Sequence, residues 1–230
     1  MTAPYLTLLT DANWQDYELL DSGHQKKLER FGNFRFIRPE PQAVWHPRLV
    51  ANDWTADGVF CNDKTTAENE ESGGWRLIND QPSSWLMRYQ HLRFLARVTS
   101  FRHLGFFPEQ AVHWNWCADA IHRFQQTHNR RPRVLNLFAY SGLASLHAAA
   151  AGAEVTHVDA SKKAIAQAFE NRSVCNLQEA PIRFITDDAS AFVARETRRK
   201  SEYDGIILDP PKHGRGPKGE TWRIEEDLPP

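Results

Sequence analysis

The sequence predicts an α/β protein: a parallel sheet flanked by helices, preceded by a small β-rich region. Two observations predict it. Between Arg133 and Lys212 short apolar runs alternate with alanine-rich helical stretches, the order expected when each strand of a parallel sheet is followed by a crossover helix. Up to about Gln110, by contrast, the chain carries most of its eight tryptophans and little helical periodicity. The expected division is a β-rich domain over 1–107 and an α/β domain over 108–230.

Val134 to Phe138 is the first strand, apolar enough to be buried on both faces. It breaks at Ala139-Tyr140-Ser141-Gly142. Gly142 permits a sharp turn and lets a ligand approach the backbone, and Ser141 is placed to cap a helix from Leu143 to Ala151. Gly152 ends that helix. Glu154 to Val158 is the second strand. Asp159 follows it, about 20 residues beyond the first strand, where doubly wound folds put the acid that binds a ribose diol. Ser161 caps the next helix, whose Ala164, Ala166 and Ala168 allow close packing on a sheet. Ile182 to Ile185 forms the third strand, running into Asp187-Asp188-Ala189, and Tyr203 to Leu208 the fourth, running into Asp209-Pro210-Pro211-Lys212. The strand-end acids should therefore meet at one rim, the carboxyl edge where open parallel sheets bind ligands. Taken singly, the glycine reads as a turn, an acid after a strand as a helix cap, and Asp-Pro-Pro as a stop signal. Their joint order and spacing point to a nucleotide-type ligand on a Rossmann-like sheet.

Four motifs, Asn136-Leu137-Phe138-Ala139-Tyr140-Ser141-Gly142, Val158-Asp159-Ala160-Ser161, Asp187-Asp188-Ala189 and Asp209-Pro210-Pro211-Lys212, resemble the cofactor motifs of class I S-adenosylmethionine-dependent methyltransferases. The branch they resemble most is that of the 23S ribosomal RNA cytosine-C5 methyltransferases, and Gly105-Phe106-Phe107-Pro108-Glu109-Gln110 is similar to a motif which that branch carries before its catalytic domain. The resemblance implies that Tyr140, Ser141 and Gly142 line the methionine end of S-adenosylmethionine and that Asp159 holds its ribose. Asp188 would accept from the adenine amine, and Ala160 and Ala189 would lie against the ring. Asn136, Phe138, Asp187 and Asp209 count among the implied cofactor contacts, and Phe107 and Gln110 would close the pocket from the side. A nicotinamide-binding domain is the rival. It would need a Gly-x-Gly-x-x-Gly cradle, and this turn has one glycine crowded by Tyr140 and Leu143.

The two prolines after Asp209 remove two amide donors, so the carboxylate and the local carbonyls face the acceptor as acceptors. Lys212 stands where methyltransferases of exocyclic amines usually carry an aromatic residue. A point charge there suits a phosphate or a developing negative charge, which favours the cytosine-C5 branch. That chemistry needs a thiolate nucleophile. Cys61, Cys117 and Cys175 all read as ordinary thiols, and only four of the seven strands of such a sheet precede Leu228-Pro229-Pro230. The expectation is a C-terminally truncated chain, which binds cofactor weakly or does not turn over.

In the N-terminal part, Tyr17 to Leu20, Asn33 to Ile37, Trp75 to Ile78, Trp85 to Tyr89 and Arg93 to Thr99 read as short antiparallel strands, with a polar loop from Asn62 to Gly74. A helix from Pro108 to about Gln126 follows. The interleaved Trp85, Arg88, Tyr89, Arg93, Phe94, Arg97, Phe101 and Arg102 read either as an RNA-contact face or as a half-exposed sheet with aromatics inside and arginines in water. A net charge of −1 gives no general basic footprint. Local clusters at Arg195, Arg198, Arg199 and Lys200, and at Lys212, His213, Arg215 and Lys218, are compatible with a phosphate path. His113, Cys117 and His122 do not share one helix face, so no metal is expected. Three unpatterned cysteines, a Met1 to Thr10 segment without a leader pattern and a mean hydropathy of −0.60 point to a cytoplasmic protein without a membrane span. The function expected is methylation of a base in ribosomal RNA. The alternatives are a methyltransferase of a small molecule or protein, or a binding fragment without turnover.

Overall fold

Short strands, alternating buried and exposed residues most clearly in the hairpin of Ser84–Tyr89 and Leu92–Arg97, build the N-terminal part of the protein. The computed structural model describes residues 14–62, 73–79, 81–217 and 219–228, and divides into one unit over Asp11–Pro108 and another containing Glu109–Pro230. In the first unit β1 (Tyr17–Gly23), β2 (Lys26–Phe31), β3 (Phe34–Pro39), β4 (Gly58–Asn62) and β5 (Gly73–Leu77) form one sheet in that order. A separate hairpin pairs β6 (Ser84–Tyr89) with β7 (Leu92–Arg97). In β6 and β7 Trp85, Met87, Tyr89, Leu92 and Phe94 point inward while Arg88 and Arg93 are exposed, the half-exposed arrangement.

Two features of this unit differ from the expected set of antiparallel strands. β3 and β4 are parallel, because residues 40–57 cross over between them. β2, which reads as a charged run, is a core strand: Glu29 is fully buried and takes a bidentate ion pair from Arg38, 2.6 Å from Nε and 2.7 Å from Nη2. Such a pair masks the period-2 pattern, since a buried charge reads as surface. Most of the polar loop (63–72), Met1 to Thr10, Lys218 and the final two prolines lie outside the described residues.

The second unit opens with α1 (Ala111–His128), after a single 3₁₀ turn at Pro108–Gln110, and then alternates as expected. β8 (Arg133–Leu137), α2 (Leu143–Ala150), β9 (Glu154–Asp159), α3 (Lys162–Val174), β10 (Ile182–Thr186), α4 (Ala189–Arg198) and β11 (Gly205–Leu208) give a four-stranded sheet in the order β10-β9-β8-β11, parallel throughout. An unforeseen hairpin, β12 (His213–Arg215) with β13 (Thr221–Arg223), and the short α5 (Ile224–Asp227) follow. Among the described residues no helix is long and apolar enough to cross a membrane.

Several expected boundaries move. The first strand stops at Leu137, because Phe138 turns left-handed (φ 54°). The fourth begins at Gly205, after Tyr203. Ser141 does not cap α2: Gly142 occupies the cap position without a side-chain bond, and Ser141 is buried with its carbonyl held by Asn171 Nδ2 at 2.9 Å. Ser161 does cap α3, accepting from the Ala164 amide at 3.2 Å. Ala164 and Ala168 pack inward, whereas Ala166 is exposed.

Gly142 shows why the turn needs glycine. Its φ is +86°, and a Cβ there would lie 2.8 Å from the Ala168 Cβ. The close approach is thus to α3, and Gly142→Ala should lower stability by about 2–4 kcal/mol, combining left-handed strain with overpacking; urea unfolding measures it. A second prediction concerns His157, fully buried with Nδ1 3.0 Å from Ser145 Oγ. Burial pushes its pKa from 6.5 down to about 3. The charged ring is disfavoured in the fold, so this contribution to stability is intact above about pH 6.5 and is lost as pH falls toward 3. Between pH 7 and pH 5 the loss should be about 2 kcal/mol. In His157→Asn, which bonds Ser145 without titrating, the pH slope of the urea midpoint should be correspondingly flatter.

Candidate ligand site at the strand-end rim

The parallel register puts Leu137, Val158 and Leu208 side by side and Thr186 beside Asp159, so the loops that leave these strands share one rim. The turn after β8 is under strain. Phe138 (φ 54°), Tyr140 (φ 48°) and Gly142 (φ 86°) are all left-handed, and for the first two this is an uncommon conformation that accompanies functional turns. The Asp159 carboxylate fastens it: Oδ2 accepts the Tyr140 N–H and Oδ1 the Ser161 N–H, each at 2.8 Å. Burial pushes the Asp159 carboxyl up while the two amides pull it down. Each oxygen keeps one further acceptor position, the set that a vicinal diol would use.

Asp187 and Asp188 are already committed to the backbone. The Asp187 amide donates to the Asp159 carbonyl at 3.1 Å, joining the ends of β9 and β10, and the Asp187 carboxylate pairs with Arg195. Asp188 caps α4, with Oδ1 2.9 Å from the Ala191 amide, so one oxygen is spent on the helix and the other is not. Ala160 is half-buried beside Asp159.

Asp209 is exposed after β11 and accepts from Gln110 Nε2 at 3.0 Å, while Gln110 Oε1 lies 2.8 Å from His113 Nδ1. The Pro210-Pro211-Lys212 segment is strapped by the unforeseen hairpin. Trp222, 7% exposed, donates Nε1 to the Pro211 carbonyl at 2.8 Å and packs on the Phe138 ring at 4.8 Å. The Ile224 amide reaches the Lys212 carbonyl at 3.1 Å. Sequence reasoning missed Trp222; the signal was a lone tryptophan among polar residues, three positions after a turn glycine. Lys212 itself is exposed.

The other expected site residues have varied surroundings. Asn136 is 2% exposed and donates to Ser145 Oγ at 2.9 Å inside the core, because a strand covered on both faces turns its side chains toward helices. Ala189 opens α4 and belongs to the apolar cluster with Leu135, Leu137, Val158 and Phe192. Phe107 falls in the first unit and is exposed. Cys175 ends α3, at the edge opposite the rim; Cys117 is half-buried, its thiol pushed up by burial; Cys61 lies in the first unit. Among the described residues no group of three or more His, Cys, Asp or Glu is disposed to hold a metal ion.

Removing the strap should loosen only its own segment. In Trp222→Ala, amide exchange over 209–216 should rise on the order of tenfold or more, as loss of one hydrogen bond and its ring contact implies, with β8 to β10 unchanged in hydrogen-exchange mass spectrometry.

Comparison with known proteins agrees with this geometry. Residues 113–218 match the family model described as Conserved hypothetical protein 95. A crystal structure of the SAM dependent methyltransferase from Agrobacterium tumefaciens is 47% identical, with a TM-score of 0.88 over 97% of this chain and 69% of that one. The ribosomal RNA large subunit methyltransferase K/L of Shewanella frigidimarina is 28% identical over 166 residues, 71% of this chain. The chain spans 22% of that curated relative's length.

Proposed function

This chain belongs to the S-adenosylmethionine-dependent methyltransferases, enzymes that take a methyl group from that cofactor, and from that premise we propose that it methylates a base of ribosomal RNA. The observation that carries the reading is the shared rim, where the Asp159 carboxylate and the strapped Asp209 to Lys212 loop stand at the ends of β9 and β11, on either side of β8. The domains we propose are a β-rich one over 1–107 and the catalytic one over 108–230.

The residues present fit the cofactor. Asp159 has two acceptor positions for the ribose hydroxyls, the oxygen of Asp188 not used by its helix suits the adenine amine, and Ala160 leaves room for the ring. Tyr140 to Gly142 would face the methionine end. When bound, the cofactor supplies an electrophilic methyl group on a sulfonium. The chain's own part is positioning. Asp209, held by Gln110, accepts from the base, and the two prolines present no competing donor. Lys212 balances negative charge on the acceptor or an adjacent phosphate. A base must leave its stack to reach the loop. The RNA reading is supported by the name of the Shewanella relative, and it carries with it a cytoplasmic location.

The finer reading is carbon 5 of a cytosine, on the strength of Lys212 in place of an aromatic residue. The thiolate this requires is not supplied by Cys61, Cys117 or Cys175, so the methylated atom has to be read directly. Ribosomal RNA lacking modifications, incubated with the chain and labelled cofactor and then digested, should carry the label on a base, and mass spectrometry of the nucleosides reads the atom, 5-methylcytidine being the product of the carbon-5 reading. A methyl group on an exocyclic amine would overturn the carbon-5 reading alone. Unlabelled RNA from a chain that binds S-adenosylhomocysteine would overturn the RNA reading.

The cofactor site has its own test. Calorimetric titration with S-adenosylhomocysteine should give an affinity that Asp159→Asn lowers by about 10- to 100-fold, the worth of hydrogen bonds to a charged group. Because burial raises the Asp159 pKa and the diol needs its ionised form, wild-type affinity should fall as the solution is acidified toward that pKa. The Asp159→Asn variant should lack this decline.

A further inference from the structure

The hold on Asp209 does not end at Gln110. Gln110 occupies the N-cap position of α1, yet its side chain makes no capping bond in that helix. It reaches instead to a residue 99 positions on, donating Nε2 to Asp209 Oδ2 at 3.0 Å. One turn along α1, His113 Nδ1 lies 2.8 Å from Gln110 Oε1. All three residues belong to the second unit, so the link runs within one body.

The chemistry of the two bonds fixes their direction. An ionised carboxylate only accepts, so the Gln110 amide has to turn its N–H toward Asp209 and its oxygen toward the imidazole. An amide oxygen 2.8 Å from Nδ1 in turn requires the ring proton to sit on Nδ1. With that proton on Nε2, Nδ1 would be an acceptor and would draw the amide round, bringing Oε1 against the Asp209 carboxylate. His113 therefore decides which end of the amide Asp209 meets. The ring can do so because its helix is fastened to the core. Trp114, the next residue, is 5% exposed and stacks on the buried His147 of α2 at 4.8 Å and 21°. Farther along α1, Gln125 Nε2 donates to the Gly152 carbonyl at 3.1 Å. His113 and Asp209 are themselves exposed, so water competes for each bond and the gain is in orientation more than in stability.

We propose that His113 is a positioning residue for methyl transfer: as the Nδ1–H tautomer it locks the Gln110 amide, which holds Asp209 by Oδ2 and leaves Oδ1 to accept from the base. This role rests on the function proposed above, in which Asp209 orients the acceptor. The strap from Trp222 and Ile224 fixes the carbonyls of the same loop, so α1 supplies what the strap does not, the direction of the acid.

The test uses the full chain with ¹⁵N-labelled histidine, the His113 signals being those missing from His113→Asn. In alkaline solution, where the ring is neutral, its nitrogens should report the proton on Nδ1, and Gln110→Ala should move it to Nε2, the form a solvated ring prefers. In methyl transfer to RNA, His113→Ala should lower kcat about three- to tenfold, the worth of one hydrogen bond. The KM for RNA, the affinity for S-adenosylhomocysteine and the urea midpoint should stay near those of the wild type. His113→Asn, whose amide N–H can stand where Nδ1–H stood, should recover most of the rate. A proton on Nε2 in the folded wild type, or a wild-type kcat in His113→Ala, overturns the role of His113. The two proposals fail separately. RNA methylated at the wild-type rate by His113→Ala removes only this role, and RNA left unmethylated by the wild type removes the catalytic reading, while the tautomer still decides whether His113 holds Gln110.

Discussion

The Asp159 carboxylate is the tie on which the strand-end rim depends. Phe138 and Tyr140 are held left-handed, at a cost of about 1–3 kcal/mol each, and such a turn relaxes unless something over-determines it. Asp159 does so by accepting from the Tyr140 amide with one oxygen and from the Ser161 amide with the other. Hydrogen bonds to a charged group contribute about 1.5–3 kcal/mol apiece, which is enough to offset the strain. The same bonds align the start of α3, and α3 can approach the turn only because Gly142 has no side chain to meet Ala168. Turn, acid and helix are therefore one mechanical unit, and a ligand that bonds to Asp159 acts on all three.

Beneath the rim lies a buried polar chain, Asn136 to Ser145 to His157, that joins β8, α2 and β9. Polar groups inside a core stabilise only when they meet one another, and here they fix the helix against the two strands. Above the rim, the loop after β11 is held by quite different means. Its prolines offer no amides to a ladder, so its carbonyls are taken by Trp222 of the hairpin and Ile224 at the start of α5, while its acid is taken by Gln110. One side of the site is thus set by core packing and the other by a surface strap, and local opening is expected to be easier on the strap side.

The first unit solves a different problem. Its sheet and hairpin enclose a cluster of aromatic rings, Trp14, Phe31, Phe36, Trp85, Phe94 and Phe106 among them, together with the ion pair of Glu29 and Arg38. Rings in tilted and edge contacts fill volume that short strands could not fill with aliphatic residues alone. The pair at Glu29 and Arg38 commits β2 and β3 to one register, since a one-residue slip would leave a charge buried without its partner.

By itself the sequence determined the order of the parallel strands, their acids and the turn glycine, because apolar runs, helix caps and strand-end residues are local signals that need no partner to be recognised. It determined the alternation of Trp85, Tyr89 and Phe94 with exposed arginines for the same reason. What only the tertiary structure decided were features set by residues far apart in the chain. β2 was hidden because Glu29 reads as surface until Arg38, nine positions on, is known to neutralise it. The parallel pairing of β3 with β4 depends on a crossover that no short pattern encodes. Asn136 and Ala189 sit in motifs that resemble ligand contacts, and only the fold shows Asn136 bonded to Ser145 of α2 and Ala189 packed with residues of β8 and β9. The strap of Trp222 on Pro211 joins residues whose contact no periodicity predicts, since it is made across a hairpin whose tryptophan also packs against Phe138. Local chemistry is written in order along the chain, whereas burial and partnership exist only once the chain has closed on itself.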